Sequence, residues 1–143
     1  MRLALEQARA GGTQGEVPVG AVLAGRDGTL LARAHNACLS LNDPTAHAEI
    51  LALRQAAARI GNYRLGGSIL IVSLEPCLMC AGALAQARVD GVVFGAADPL
   101  AGAVSSCLEA LALPCHNHQV WHMGGVAGEE CAALLRDFFM KRR

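Results

Sequence analysis

The apolar residues of this chain recur at two different intervals, and the places where the interval changes mark out its elements. EVPVGAVLA (Glu16 to Ala24) and TLLARAH (Thr29 to His35) are short runs rich in apolar and β-branched residues, joined by GRDG at positions 25–28. Such a pair around a glycine-containing turn predicts a β-hairpin. Between His47 and Gly61 the interval lengthens, with Ile50, Leu53, Ala57 and Ile60 spaced by three and four. That spacing predicts a helix, with Gly61 as its C-terminal cap. SILIVS (Ser68 to Ser73) is a short β-rich run of the kind covered on both faces. Pro76 then takes what the pattern makes the first helical position, ahead of CLMCAGALAQA. GVVFGA (Gly91 to Ala96) predicts another strand and QVWHM (Gln119 to Met123) a weaker one. Residues 1–10 predict a short first helix. Cys131, Leu134, Leu135 and Phe138 follow the i, i+3, i+4, i+7 rule of an amphipathic C-terminal helix.

A hairpin followed by alternating helices and strands implies the α/β class: a mixed sheet between helical layers. The 143 residues carry no internal repeat or low-complexity linker, so one domain over 1–143 is expected. Composition agrees, since 53% hydrophobic residues and a mean hydropathy of +0.35 suit a well-buried core and not a disordered chain. No apolar run approaches the ~18 residues of a membrane span. Glu6 and Arg9 interrupt the start too early for a signal peptide. A cytoplasmic protein without a membrane partner is the expectation, with its six cysteines reduced. Twelve basic and twelve acidic residues cancel, so charge alone does not announce a nucleic-acid binder. The one basic cluster, Lys141, Arg142 and Arg143, suits either a helix end opposing the macrodipole or a phosphate contact.

Candidate chemistry begins at PCLMC. In a helix starting near Pro76, Cys77 and Cys80 share one face in the first turn, where the dipole favours thiolate. That arrangement suits a soft divalent metal, a redox pair or two structural cysteines, and CxxC alone does not choose. HAE (His47 to Glu49) changes the balance. His47 with two cysteines supplies three protein ligands, the number that leaves a fourth position open in a catalytic zinc site. Glu49 lies about 200° around an ideal helix from His47, so both reach one centre only from the ragged first turn. Glu49 is then free to act as a general acid/base. H-x-E followed by P-C-x-x-C is the signature of the zinc nucleobase deaminases.

DPTAHAEILALRQA (Asp43 to Ala56), NYRL (Asn62 to Leu65), LEPCLMCAGAL (Leu74 to Leu84), VVFGAADP (Val92 to Pro99) and ECAALLRDFF (Glu130 to Phe139) extend the match over nearly the whole chain. With these the sequence resembles the bacterial tRNA-specific adenosine deaminases, of the cytidine/deoxycytidylate deaminase superfamily. The resemblance implies a three-layer α/β/α fold with a mixed five-stranded sheet, a homodimer and one Zn2+ per subunit. It implies conversion of adenosine to inosine at the wobble position of an arginine tRNA, through its anticodon stem-loop. Carried over by position, His47, Cys77 and Cys80 hold the metal and Glu49 shuttles protons. Asn36 bonds the base, Ala48 joins the substrate contacts, and Asp98 approaches the substrate backbone.

In AADPLAGA (Ala96 to Ala103), Leu100 stands where a lysine is expected and no arginine precedes Asp98. Phosphate contacts there are expected to be weaker, leaving tRNA affinity to Arg64, Arg136 or the C-terminal cluster. A few residues before Met1, or a short first helix, are also expected. His116, His118 and His122 are not expected to complete the metal site, which needs its open position. Cys38, Cys107, Cys115 and Cys131 receive no role. The rival readings are a deaminase of a free base or nucleoside such as guanine or cytosine, a non-catalytic RNA-binding subunit, and a redox or structural-zinc module. Retention of Glu49 argues against the non-catalytic subunit.

Overall fold

A computed structural model describes residues 1–142, and Arg143, the last of the basic cluster, lies outside the described residues. The chain opens with α1 (Arg2–Thr13), twelve residues long and so neither short nor confined to the first ten positions. It buries Ala4, Leu5, Ala8 and Gly11, a stripe of small residues at helical spacing. Small side chains let α1 lie directly on strand β1 (Gly20–Gly25). A Cβ at Gly20 would come within 2.1 Å of the Ala4 carbonyl oxygen, so that crossing point requires glycine. The first strand therefore begins later than the apolar run that starts at Glu16. Pro18 lacks a donor for the ladder, and the 16–19 segment turns Glu16 into the interior, where it is 2% exposed.

The predicted hairpin forms between β1 and β2 (Leu30–His35), closed by the Gly25 N–H donating to the Thr29 carbonyl. An unpredicted single turn, α2 (Cys38–Leu41), follows and leads to α3 (Ala48–Ile60). His47 is the N-cap of α3 and Gly61, at φ 73°, its left-handed C-cap, as the spacing predicts. The remaining elements are β3 (Ser68–Leu74), α4 (Leu78–Ala87), β4 (Gly91–Ala96), a 3-10 turn at Ala110–Ala112, β5 (Trp121–Met123) and α5 (Gly128–Met140).

The five strands form one mixed sheet in the order β2-β1-β3-β4-β5. β1 runs antiparallel to both neighbours, whereas β3, β4 and β5 are parallel. α3 and α4 pack together on one face, and α1 and α5 on the other. The larger core lies under α3 and α4, where Leu23, Leu70, Val72, Val92 and Phe94 of the sheet meet Ala52, Leu53, Ala56 and Leu84. Each fully buried leucine there contributes about 1.5–3 kcal/mol relative to an exposed one. A smaller cluster of Leu5, Ala96 and Cys131 holds α1 and α5 to the opposite face. No helix among the described residues is long and apolar enough to cross a membrane.

One register differs from expectation. Pro76 is not the first residue of α4; that helix starts at Leu78 with Cys77 as its N-cap, in extended conformation at φ −75° and ψ 174°. The cause is strand-like pairing just before the helix: Cys77 bridges to Gly102, and the Ala103 N–H donates to the Pro76 carbonyl at 2.8 Å. Cys77 and Cys80 accordingly do not share a helical face. One caps the helix and the other sits in its first turn.

Candidate active site

Parallel strands place their carboxyl ends on one side of a sheet, and the crevice beyond those ends is where α/β proteins place ligands. Here β3 delivers Glu75, Pro76 and Cys77 to that edge, and β4 delivers the loop that begins with Asp98. α3 and α4 both start at the same edge, so two helix N-termini converge beside His47 and Cys77. Their unpaired N–H groups make the spot favourable for negative charge.

His47 Nδ1 lies 3.7 Å from Cys77 Sγ and 3.6 Å from Cys80 Sγ. All three ligand atoms fall within 4.8 Å of one another, and among the described residues no other such group of three forms. A tetrahedral zinc, with Zn–S of about 2.3 Å and Zn–N of about 2.0–2.1 Å, requires N···S separations of about 3.6 Å. The donor set and its spacing therefore fit zinc, with a fourth position left open. Protonation in the protein alone is compatible with this. The Cys80 thiol and the His47 imidazole hold the Cys77 thiol down at about 3. That neighbouring sulfur, together with burial, pushes the Cys80 thiol up. The bond to Cys77 raises His47. A metal bound here displaces the remaining thiol proton.

Three carboxylates are buried among the described residues, Glu16 and Glu75 at 2% exposure and Glu49 at 3%, and all three line one cleft of about 430 Å³. Their hydrogen bonding separates them by role. Glu16 accepts the main-chain N–H groups of Ser40 at 2.8 Å and Leu39 at 3.2 Å, tying α2 to the segment before β1. Burial pushes its carboxyl up, but the Ser40 and Leu39 donors more than offset this and leave it lowered. Glu75 accepts N–H groups from the loop after β4; burial pushes it up, while the Ser106 hydroxyl and the loop amides bring it down to about 2. Glu49 alone keeps an oxygen, Oε2, with no hydrogen-bond partner. Burial pushes its carboxyl above the usual range. An acid with one free oxygen beside three candidate ligand atoms is available to move a proton; the other two are occupied in holding loops.

Asn36, at the end of β2, accepts the Ala48 N–H on Oδ1 at 2.9 Å. This bond fixes which way the amide lies and keeps its NH2 group as the donor for the cleft. Ala48 is thus a partner of Asn36 and the first residue of α3, its side chain fully buried. Asp98 lines the cleft, and its Oδ1 accepts the N–H groups of Leu100 and Ala101 at 3.0 and 3.1 Å, a local turn within its own loop. Leu100 stands 91% exposed on that loop.

Of the basic candidates, Arg142 reaches the cleft. Its guanidinium donates to the Gly15 carbonyl and lies 4.3 Å over the Phe138 ring. Arg136 pairs with Glu129, and Arg64 lies over Tyr63. His116 and His118 bond the carbonyls of Ala110 and Val89. With His122 they line a separate cavity of about 740 Å³ beside β5 that contains none of the metal-ligand atoms, so volume does not locate the chemistry. Glu16 and Glu75 carry no pattern that singles them out in sequence. The only hint for Glu75 is its place directly before PCxxC.

A family model for the cytidine and deoxycytidylate deaminase zinc-binding region matches residues 1–96. A tRNA-specific adenosine deaminase of Agrobacterium fabrum is 46% identical over 143 residues, covering 100% of this chain and 93% of that protein. A solved tRNA:A34 deaminase, which performs A-to-I editing at the wobble position of transfer RNA, superposes with a TM-score of 0.91 at 45% identity, covering 94% of this chain and 97% of that one. The guanine deaminase of Nitrosomonas europaea superposes less closely, with a TM-score of 0.76 at 27% identity over 94% of this chain and 80% of that one.

Proposed function

The chain belongs to the zinc-binding cytidine and deoxycytidylate deaminase family, and we propose that within it the protein hydrolytically converts adenosine to inosine at the wobble position of tRNA. The observation that carries the deaminase chemistry is the His47, Cys77 and Cys80 triad at tetrahedral spacing beside the free Glu49 oxygen, and the tRNA-specific relatives support the substrate. His47, Cys77 and Cys80 hold one zinc per chain. When bound, it supplies the Lewis acidity that makes water nucleophilic at neutral pH.

The chain's own groups do the rest. Glu49 takes one proton of the attacking water on its free oxygen and gives it to the ring nitrogen, then takes the second from the new C6 hydroxyl and gives it to the departing amino group. The C6–O bond forms, the C6–N bond breaks, and ammonia leaves. Asn36, oriented by the Ala48 N–H, presents its amide NH2 to an acceptor on the purine. An anticodon-loop base is already unpaired, so drawing it into the cleft costs little compared with extracting it from a duplex. The substrate backbone passes Asp98 and Arg142, and Arg142 supplies a cation at the rim where Leu100 offers none.

The reading includes one domain over residues 1–143, an arginine tRNA as the substrate, recognised through its anticodon stem-loop, and a cytoplasmic place of work. It also includes a homodimer. The apolar groove between α3 and α4, floored by Ile50, Leu53 and Ala83, offers a face for the second copy. The test is inosine formation by zinc-loaded protein on a tRNA with adenosine at the wobble position, against guanine, cytidine and free adenosine, with Glu49→Ala as the blank. Inosine in the tRNA alone is expected. Turnover of guanine or cytidine with none in tRNA overturns the substrate assignment and keeps the deaminase chemistry.

A further inference from the structure

Glu75 takes no part in the chemistry above, yet it is bonded along its whole carboxylate. Oε1 accepts the N–H groups of Val104 at 3.1 Å, Ser105 at 2.7 Å and Ser106 at 2.9 Å. Oε2 accepts the Asp98 N–H at 3.1 Å and the Ser106 hydroxyl. No lysine, arginine or histidine pairs with it among the described residues. The loop from Asp98 to Ser106 is therefore wrapped around one buried anion, whose charge is met by a concave set of main-chain amides.

Two further contacts fasten this loop to the segment that leads into the metal site. The Ala103 N–H donates to the Pro76 carbonyl, and Gly102 pairs with Cys77. The fit leaves no slack: a Cβ at Gly102 would come within 2.5 Å of Glu75 Cδ, Glu75 Oε2 and the Asp98 carbonyl oxygen. Glu75, Pro76 and Cys77 thus form a single rail, carrying a metal ligand at one end and the wall of the cleft along its length.

We propose that Glu75 is a positioning residue for substrate selection. It sets the distance between the Asp98 loop and the metal ligands, so that the cleft admits a base carried in a single-stranded RNA loop with its flanking nucleotides against that wall. The inference rests on the RNA-deaminase reading above. On this inference the flanking nucleotides are held equally in the ground state and the transition state, so loss of their contacts appears in KM and spares kcat. An amide in place of the carboxylate confronts at least one loop N–H with an NH2 group, which releases one end of the loop.

The experiment measures kcat and KM of zinc-loaded full chain on an anticodon stem-loop RNA and on a trinucleotide centred on the same adenosine, with zinc content determined for every sample. Glu75→Gln and Gly102→Ala, which displace the loop from opposite sides of one contact, are each expected to raise the stem-loop KM about tenfold or more. In both, kcat should move by less than about threefold, zinc per chain should equal the wild type, and the KM penalty should shrink on the trinucleotide. Ser106→Ala, which deletes one donor, is the milder variant should either of these fail to fold, and a smaller rise of the same kind is expected. Unchanged KM in the folded variants, a fall in kcat at constant KM, or loss of zinc overturns the inference. A wild type that makes no inosine in either RNA overturns the functional reading, and this inference with it.

Discussion

Replacing Glu49 by glutamine separates its chemical role from a structural one, because the two predict opposite changes. Glu49 is 3% exposed and its Oε2 has no partner. Leaving a buried acceptor unsatisfied costs about 1–3 kcal/mol, and more if it is charged. Glutamine keeps the volume, removes the charge and leaves one neutral polar group unsatisfied. In the zinc-stripped protein, where no cation balances the carboxylate, a net gain of about 1 kcal/mol is expected, a rise of about 3 °C in the unfolding midpoint for a chain of this length. Turnover moves the other way, since a positioned general acid/base contributes about 10²–10⁴-fold, equivalent to roughly 3–5 kcal/mol of barrier. Three readings settle the matter: inosine formed per chain at saturating tRNA, zinc per chain, and the midpoint of thermal unfolding of both proteins after chelation. Retention of more than about a tenth of the rate refutes the proton-carrier role. Loss of zinc makes Glu49 a ligand, and a lower midpoint shows that the carboxylate was stabilising after all.

Removal of one ligand or of the metal itself should produce the same state. Cys80→Ala is expected to purify without zinc. A ligand held at a thousandfold excess over its Kd stabilises by about 4 kcal/mol, so the midpoint should fall by about 10 °C. A chelator should lower the wild-type midpoint and leave that of Cys80→Ala in place; equal sensitivity of both to the chelator would sink the assignment. Glu16 gives a pH dependence. Its folded carboxyl is lowered from 4.5, so its contribution is fully present above pH 4.5 and is lost as pH falls through the folded value. Urea midpoints measured between about pH 6 and pH 3 should decline less steeply in Glu16→Gln than in wild type. An identical acid limb in the two proteins would remove Glu16 as a contributor.

The candidate metal triad was legible as a cluster because its signals are local. H-x-E and P-C-x-x-C each place a ligand within a few residues of a helix start, and the two helices happen to begin at the same sheet edge. The mixed sheet followed from the same local order of runs. Pro76 was misread for a non-local reason: pairing of Cys77 with Gly102, twenty-five positions on, keeps the chain extended for one more residue than helix propensity alone would. Pro18 had a local reason and delays β1 to Gly20. Glu16 and Glu75 were invisible, because a lone glutamate has no period and its partners are remote. The donors to Glu16 lie 23 and 24 residues away, and those to Glu75 lie between 23 and 31 away.

That difference in range has a functional consequence. The groups proposed to meet the reacting atom sit at the first turns of α3 and α4, which are fixed by the alanine-rich contact of those helices with the sheet. The proposed contact to the substrate backbone sits on the Asp98 loop, and α2 walls the same cleft; Leu39, Leu41 and Leu100 on these segments are all exposed, while Ala103 and Val104 tie the far end of the loop into the core. An exposed stretch with few packed side chains opens readily. Two buried carboxylates add anchorage by collecting main-chain amides that no strand or helix uses. Because amides come from nearly any residue type, the exposed side chains on these segments are free to differ while the backbone stays in place, whereas Gly102 and the buried Val104 are not. Leu100 can stand where a lysine is expected without moving the Asp98 turn, and exchange of Leu100 for lysine should accordingly change RNA binding and its salt dependence while leaving the loop's hydrogen bonds to Glu75 intact.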